Sequence, residues 1–399
     1  MARLLVIAGE FPVASETFVV GHIQGMRSRG FDVAVACITL HRDALAQAFG
    51  DSPPQVFELG PRAEKLLKRP GLLRRRAYRR ILGAQWQSML PATAGNNLPA
   101  RAAALVEVAS EFKPEAIHAH FGPLGLIAAP ASKLLGIPLL VNFRGYDFLS
   151  YAPQTRWQDY ASFPHDAVAV AHTAYCEGVL RKHLKIAVRY VRRGVNRQRF
   201  AAAPRRAAWG NAVRLLVVGR LTPGKGQHIA IDALRLLRRH MPQTSFTLTF
   251  AGGGETGEEL ARHAGLQGVS DRVQQLGALS HDAVGQHMRE ADILLIPSVP
   301  RANGWVENFC TVASEGLASG LCIVASNQGG IPEAVNEAGI LVPAASAFEL
   351  ARGVQHAMQQ QGPAAWAAQA QAKAETYNES WMLDDYESVT REVMQRQRG

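Results

Sequence analysis

Along nearly the whole chain, short runs of consecutive apolar residues alternate with stretches of helical period. In the first half Arg3–Ala8, Asp32–Ile38, Ala116–His118, Leu139–Phe143, Ala167–Ala171 and Val188–Val191 read as strands, and Glu16–Arg29 reads as a helix. The second half repeats the style, with strands predicted at Arg214–Val218, Phe246–Ala251, Val273–Leu276, Ile293–Ile296, Cys322–Ala325 and Ile340–Val342. Helices are predicted there at Gln227–Arg239, Glu258–His263, His281–Arg289, Val312–Ser319 and Ala347–Met358, and the Ala/Gln-rich stretch Gly362–Ala374 is a further one. Strands that are apolar throughout, rather than alternating, belong to parallel sheets covered on both faces. Two successive sets predict an α/β protein of two doubly wound domains. The strand pattern lapses over Arg197–Asn211, which places a first domain at 1–196 and a second at 212–375. Residues 376–399 are expected to form a helix that packs back on the first domain. In open parallel sheets ligands bind beyond the carboxyl ends of the strands, so two such domains facing each other would share one central cleft.

A length of 399 residues agrees with two cores rather than one. Apolar residues make up 47% and charged residues 19%, a globular composition, and no apolar run approaches the ~20 residues that span a bilayer. The apolar part of the first ten residues is too short for a signal peptide, with Glu10 and Pro12 following at once. Cys37, Cys176, Cys310 and Cys322 are scattered without C-x-x-C spacing, which disfavours a disulfide framework or a zinc site and favours the cytoplasm. The net charge of +10 is uneven: Arg62–Arg80 holds nine basic residues against the single Glu64. Leucines are interleaved with them, and Pro70-Gly71 breaks the run. Such a segment reads as a surface for anionic lipid or another polyanion, or as a solvated basic face packed on its own domain. No nucleic-acid motif or aromatic platform accompanies it.

The candidate chemistry sits where strands end. Glu307 and Glu315 lie eight apart, the first beside a helix N-terminus and the second within the helix. Free amides and the helix dipole at that point suit a ligand rich in hydroxyls and phosphates. Gly219-Arg-Leu-Thr-Pro-Gly-Lys225-Gly226 nearly matches the phosphate loop G-x-x-x-x-G-K-[ST], but Gly226 has no hydroxyl for magnesium. Arg220 and Lys225 remain as a cradle for a diphosphate that leaves. Gly252-Gly253-Gly254 admits close approach of a ligand or of a neighbouring loop. In the first half Ser15 either caps the first helix or, with Thr17 and free amides, faces phosphate oxygens. His118 and His120 point to one face of a strand, and Arg144 and Asp147 add charge at the same rim. No D-x-D triple and no G-x-S-x-G elbow occurs, which disfavours metal-held nucleotide sugars and serine hydrolysis.

Taken together these segments resemble glycosyltransferase family 4. The late block carries most of the likeness: Ile296-Pro-Ser298, Glu307-Asn-Phe, Glu315-Gly-Leu-Ala-Ser-Gly320 and Gly329-Gly-Ile-Pro-Glu333. Gly219-Arg220, Lys225-Gly226 and Gly194-Val-Asn196 add to it. Phe11-Pro12, Ser15-Glu-Thr-Phe18 and His118-Ala-His120-Phe121 resemble the subgroup that builds bacterial exopolysaccharides such as colanic acid or amylovoran. The resemblance implies the GT-B fold, two Rossmann-like domains, and a retaining transfer from a UDP- or GDP-linked sugar without metal. By position, Arg220 and Lys225 would hold the donor diphosphate, with Gly219 and Gly253 in the donor site. Glu307 would bind sugar hydroxyls with the amides of Asn308, Phe309 and Cys310, Glu315 would bind the ribose, and His120 would lie beside sugar and acceptor. Where the family often has His-Gly-x-Asp, this chain has Arg144-Gly-Tyr-Asp147, and an arginine is no base near neutral pH. Ser15, Thr17, Arg144 and Asp147 are then candidates for contact with acceptor or phosphate. Asn308 stands where the family usually has a small residue after the first glutamate, and Cys310 where Gly or Pro is common. The expected protein is a hexosyltransferase-type enzyme, cytoplasmic and peripheral on the inner face of the membrane through Arg62–Arg80, acting on a lipid-linked oligosaccharide. A same-fold enzyme with a soluble acceptor and a nucleotide-sugar-binding scaffold are the two alternatives.

Overall fold

The computed structural model describes every residue except 14, 15, 96, 154–156, 303 and 397–399. It divides into two compact units, Met1–Val191 together with the chain from Leu383, and Arg192–Met382.

The first unit holds β1 (Arg3–Phe11), β2 (Asp32–Leu40), β3 (Gln55–Glu58), β4 (Ala116–His120), β5 (Leu139–Asn142), β6 (Val168–Ala171) and β7 (Ala187–Tyr190). They form one sheet in the order β3-β2-β1-β4-β5-β6-β7, every pair parallel. The second unit holds β8 (Ala212–Val218), β9 (Ser245–Ala251), β10 (Val273–Gln275), β11 (Ile293–Ile296), β12 (Cys322–Ser326) and β13 (Gly339–Val342). Their order is β10-β9-β8-β11-β12-β13, again all parallel. Each sheet is doubly wound. Its order reverses between β1 and β4 in the first unit and between β8 and β11 in the second, and those reversals are where such sheets receive ligands.

The central strands form because both of their faces are covered. Leu4, Leu5, Val6 and Ile7 of β1 are wholly buried, as are Ile293 and Leu294 of β11. Strand β3 was not foreseen. It is an edge strand of four residues in which only Phe57 is buried, and a strand paired on one side needs no continuous apolar run. The domain boundary also differs from the expected Arg197–Asn211, because the arginines of that segment bond to the second unit. Arg199 pairs with Asp282 at 2.8 Å, and Arg205 donates to the carbonyls of Met288 and Ser319, each at 3.0 Å.

The basic segment forms two helices, Leu59–Leu67 and Gly71–Leu82. The second turns Ala77, Tyr78 and Leu82 inward, and Tyr78 meets Trp86 edge-on at 5.2 Å. Arg75, Arg76, Arg79 and Arg80 face solvent, as do Leu72 and Leu73. Among the described residues no helix is long and apolar enough to cross a membrane.

The last helix, Glu379–Arg396, is bound to the first unit by hydrogen bonds whose direction can be worked out. The Thr390 hydroxyl lies 2.6 Å from the Tyr386 carbonyl oxygen, so its one hydrogen is donated there. It must then accept from His118 Nε2 at 3.0 Å. His118 Nδ1 is left as an acceptor and takes a hydrogen from His22 Nε2, also at 3.0 Å. Burial holds His118 down to about 3 and His22 well below the ordinary histidine value, so both rings are neutral, as this chain of bonds requires. Around the chain, Arg29 pairs with Asp384 at 2.5 Å and Arg189 with Glu392 at 2.8 Å.

Replacing Thr390 by valine strands the His118 Nε2 hydrogen in a buried place, a loss of about 1–3 kcal/mol. Urea unfolding of Thr390→Val should show that loss, and Thr390→Ser should restore most of it.

Candidate active site

In the second unit, the ends of β8 and β11 and the segment before helix Thr311–Ala318 meet around a cavity of about 170 Å³. Gly219, Lys225, Pro297, Ser298, Glu307 and Thr311 contribute to its wall. Lys225 ends the short turn Pro223–Lys225, and its ammonium pairs with the Glu307 carboxylate. Ser298 Oγ stands 3.5 Å from the same carboxylate oxygen. Burial alone would pull the Lys225 ammonium down, but Glu307 and the Cys310 thiol act against it, and the net shift is upward. Lys225 also lies 6.0 Å from the Trp305 ring centroid.

Backbone geometry holds this pair in place. Gly226 adopts the left-handed conformation, with φ of 69°, and a Cβ there would stand 1.9 Å from the Pro297 carbonyl oxygen. A serine or threonine at this position is therefore excluded by shape, which accounts for the incomplete phosphate-loop motif. On the other side the amide of Gly330 donates to the Glu307 carbonyl at 2.8 Å, and Gly329, with φ of 54°, lets the two backbones touch. The Gly252–Gly254 run serves a neighbouring loop: the Gly253 carbonyl accepts from the Leu221 amide at 2.9 Å. Arg220 is exposed, while its own carbonyl accepts from Gln227 at 2.9 Å.

Glu315 lies one helical turn into Thr311–Ala318 and is buried. Burial raises its carboxyl to about 8, with Arg193 and Arg199 pulling the other way. The Arg193 guanidinium also lies 4.7 Å from the Phe309 ring centroid. Burial pushes the Cys310 thiol up to about 12, beside Glu307, so it is an inert filler of the wall.

In the first unit the end of β4 carries His120, wholly buried. Arg144 Nη2 reaches His120 Nδ1 at 3.4 Å and Tyr386 Oη at 3.1 Å, and its guanidinium lies 4.3 Å from the Phe18 ring centroid. A guanidinium only donates, so His120 Nδ1 is the acceptor and the ring hydrogen sits on Nε2, which has no partner among the described residues. Burial, then the neighbouring His22 and Arg144, hold His120 well below the ordinary histidine value. It is thus a neutral hydrogen-bond donor and a poor base. His118 is bonded at both nitrogens and has no lone pair left for a metal.

Two family models match the chain: glycosyl transferases group 1 over residues 204–377, and a glycosyl transferase 4-like domain over residues 14–176. The chain belongs to the family 4 glycosyltransferases. It is 28% identical over 372 residues to the putative colanic acid biosynthesis glycosyltransferase WcaL of Escherichia coli K12, covering 86% of this chain and 87% of that one. It is 27% identical over 381 residues to the amylovoran biosynthesis glycosyltransferase AmsK of Erwinia amylovora, covering 88% and 89%. Among solved structures, Anabaena HepE in complex with UDP superposes with a TM-score of 0.74 at 20% identity, over 98% of this chain and 100% of that one. A glycosyltransferase from Rickettsia africae gives 0.74 at 15% identity, over 98% of each. The fold is GT-B.

Within this glycosyltransferase the residues singled out from sequence fall into two groups. Gly219, Lys225, Glu307, Phe309 and Cys310 line one cavity of the second unit, with Asn308 buried between them and Glu315 a turn further on. His120 and Arg144 meet at the end of β4 in the first unit. Thr17 is exposed at the start of its helix, and Ser15 lies outside the described residues. Asp147 requires correction as a substrate contact. It is wholly buried, and its carboxylate accepts from the amides of Gly122, Arg144 and Gly145 at 2.8–3.2 Å. It fastens the turn that aims Arg144. Trp305, Arg193 and Tyr386 were missed: Trp305 stands two residues before Glu307 and Arg193 directly before Gly194, beside motifs that drew attention to other residues, and Tyr386 lies in the last helix with no motif around it.

Gly226→Ser, which completes the phosphate-loop motif on paper, should damage the glycosyltransferase. The left-handed backbone and the overlap with Pro297 together predict a loss of about 2 kcal/mol or more. Thermal melting and nucleotide binding measure it, and unchanged values for both would refute this account of Gly226.

Proposed function

We propose that this glycosyltransferase moves a hexose, with retention of configuration, from a UDP- or GDP-sugar to a lipid-linked oligosaccharide in bacterial exopolysaccharide or surface polysaccharide synthesis, without a metal. The observation that carries the donor side is the Lys225–Glu307 pair at the β8/β11 reversal, opposite charges set over a small cavity. HepE has been observed with UDP and with UDP-glucose, and WcaL and AmsK are named for colanic acid and amylovoran biosynthesis. The membrane side rests on the exposed arginines and leucines of Gly71–Leu82.

In this reading the donor diphosphate takes Lys225 from Glu307, with Arg220 as a second cation. The freed Glu307 carboxylate accepts from sugar hydroxyls. The acceptor oxygen bonds to C1 on the face from which the diphosphate departs, the C1–O bond breaks, and the acceptor's proton passes to the departing diphosphate oxygen. Each well-placed donor to that developing charge contributes about 3–4 kcal/mol. His120 offers its Nε2 hydrogen to a sugar or acceptor oxygen, and Glu315 accepts from the ribose.

Transfer of labelled sugar to lipid-linked acceptor should fall by about 100-fold or more in Glu307→Gln, and equal transfer by both proteins would remove Glu307 from the reaction. Glu315 supplies a pH test. The ribose hydroxyls favour the ionised carboxylate, so binding lowers its pKa and affinity for a nucleotide sugar should rise with pH up to about 8, then level off. Calorimetry across pH 6–9 should show that rise in wild type and a flat profile in Glu315→Gln. For the membrane, each arginine near an anionic surface contributes about 1 kcal/mol. Vesicles containing phosphatidylglycerol should sediment the wild-type protein, and replacing Arg75, Arg76 and Arg79 by glutamine should weaken this by about 3 kcal/mol. Equal binding to neutral vesicles would overturn the electrostatic account.

A further inference from the structure

The first unit contains a second cavity, of about 510 Å³, which none of the chemistry above uses. It lies beside the first turn of helix Gly122–Leu135, which begins two residues past His120, and the first turns of helix Asn97–Phe112. Its wall is mostly apolar: Ile38, Leu98, Pro123, Leu124 and Ile127 all contribute. Against that wall stands Arg101, half-buried, with no hydrogen bond or ion pair to any described residue. The cavity is also braced. Thr93 and Tyr151 on its rim both donate to buried Asp159, at 2.5 and 2.9 Å.

We propose that this cavity holds the first isoprene units of a polyprenyl phosphate-linked acceptor, with Arg101 on the phosphate. The inference rests on the lipid-linked acceptor reading and places the lipid. A sugar alone is matched poorly by such walls, because its hydroxyls would lose water without gaining partners. An apolar chain alone leaves the Arg101 charge half out of water with no described residue opposite it. An isoprenoid joined to phosphate satisfies both at once, and the volume lies within the range of small-molecule sites. The basic helix Gly71–Leu82 packs on the same helix that carries Arg101, so a lipid emerging from an anionic bilayer would meet cationic surface on its way.

Farnesyl diphosphate is the probe, with farnesol and inorganic pyrophosphate as its separated halves. Titration should show saturable binding of farnesyl diphosphate to the wild-type protein, weakened about tenfold or more in Arg101→Ala and in Leu98→Trp, which fills the cavity. Farnesol should respond to Leu98→Trp alone and pyrophosphate to Arg101→Ala alone. Binding should persist in Lys225→Ala, which excludes the donor site. A cooperative thermal melt that keeps the wild-type transition of the first unit reports that each variant is folded, and Arg101→Ala, at a half-exposed position, tests the idea even where Leu98→Trp unfolds. No saturable binding, or binding unchanged by both variants, overturns the proposal. Sugar transfer to lipid-linked acceptor at wild-type acceptor KM in both variants would sink the cavity's role and leave the proposed function standing. Farnesyl diphosphate binding that obeys the variants, with transfer only to soluble acceptors, would do the reverse.

Discussion

A lysine and a glutamate that share one largely dry spot set the terms for the second unit. Taken singly, each would be a charge drawn out of water, and losing one partner of such a pair is strongly destabilising. Together they are tolerable, but only at one geometry, and the surrounding backbone is organised to supply it. Gly226 turns left-handed so that Lys225 can leave the turn toward Glu307, and Gly329 lets the following loop grip the Glu307 backbone. Trp305 packs over the turn, where a Cβ on Gly224 would stand 2.9 Å from its ring. In the proposed reaction the same pair makes the empty site self-consistent: each partner holds for the other the place that phosphate and sugar later take.

The first unit meets the same difficulty with neutral groups. His22, His118 and Thr390 pass hydrogen bonds in one direction, and burial keeps both rings uncharged. Tyr386 ties Asn142 and Arg144 into the same region, at 2.8 and 3.1 Å. At the end of β4 the His120 Nε2 hydrogen meets no acceptor among the described residues. A buried donor left unmatched is costly, and sites of that kind are where a fold trades stability for the ability to bind something.

Much of this was legible in the sequence, for reasons that can be named. Strands buried on both faces are apolar throughout, so β1, β2, β8, β9 and β11 stood out, whereas β3 at its edge carried no such run. The glycines and charges at strand ends marked Lys225, Arg220, Glu307, Glu315 and His120 one by one. Their pairing was not legible, because Lys225 and Glu307 are 82 residues apart and Tyr386 and Asn142 are 244 apart. Asp147 looked like a surface charge because sequence does not reveal burial. Gly226 looked like a missing magnesium ligand, when its reason is the backbone angle. The boundary at Arg197–Asn211 misled because its arginines attach through side chains, which leave no mark on the apolar pattern.

The last helix completes the first unit only after the second has been made. During synthesis at about 5–20 residues per second, roughly 10–40 s separate the emergence of Val191 from that of Leu383. Throughout that interval His22 and His118 lie on a face with nothing covering it, while the second unit has all of its own strands and can fold. The unit that begins the chain is therefore the one that finishes folding last.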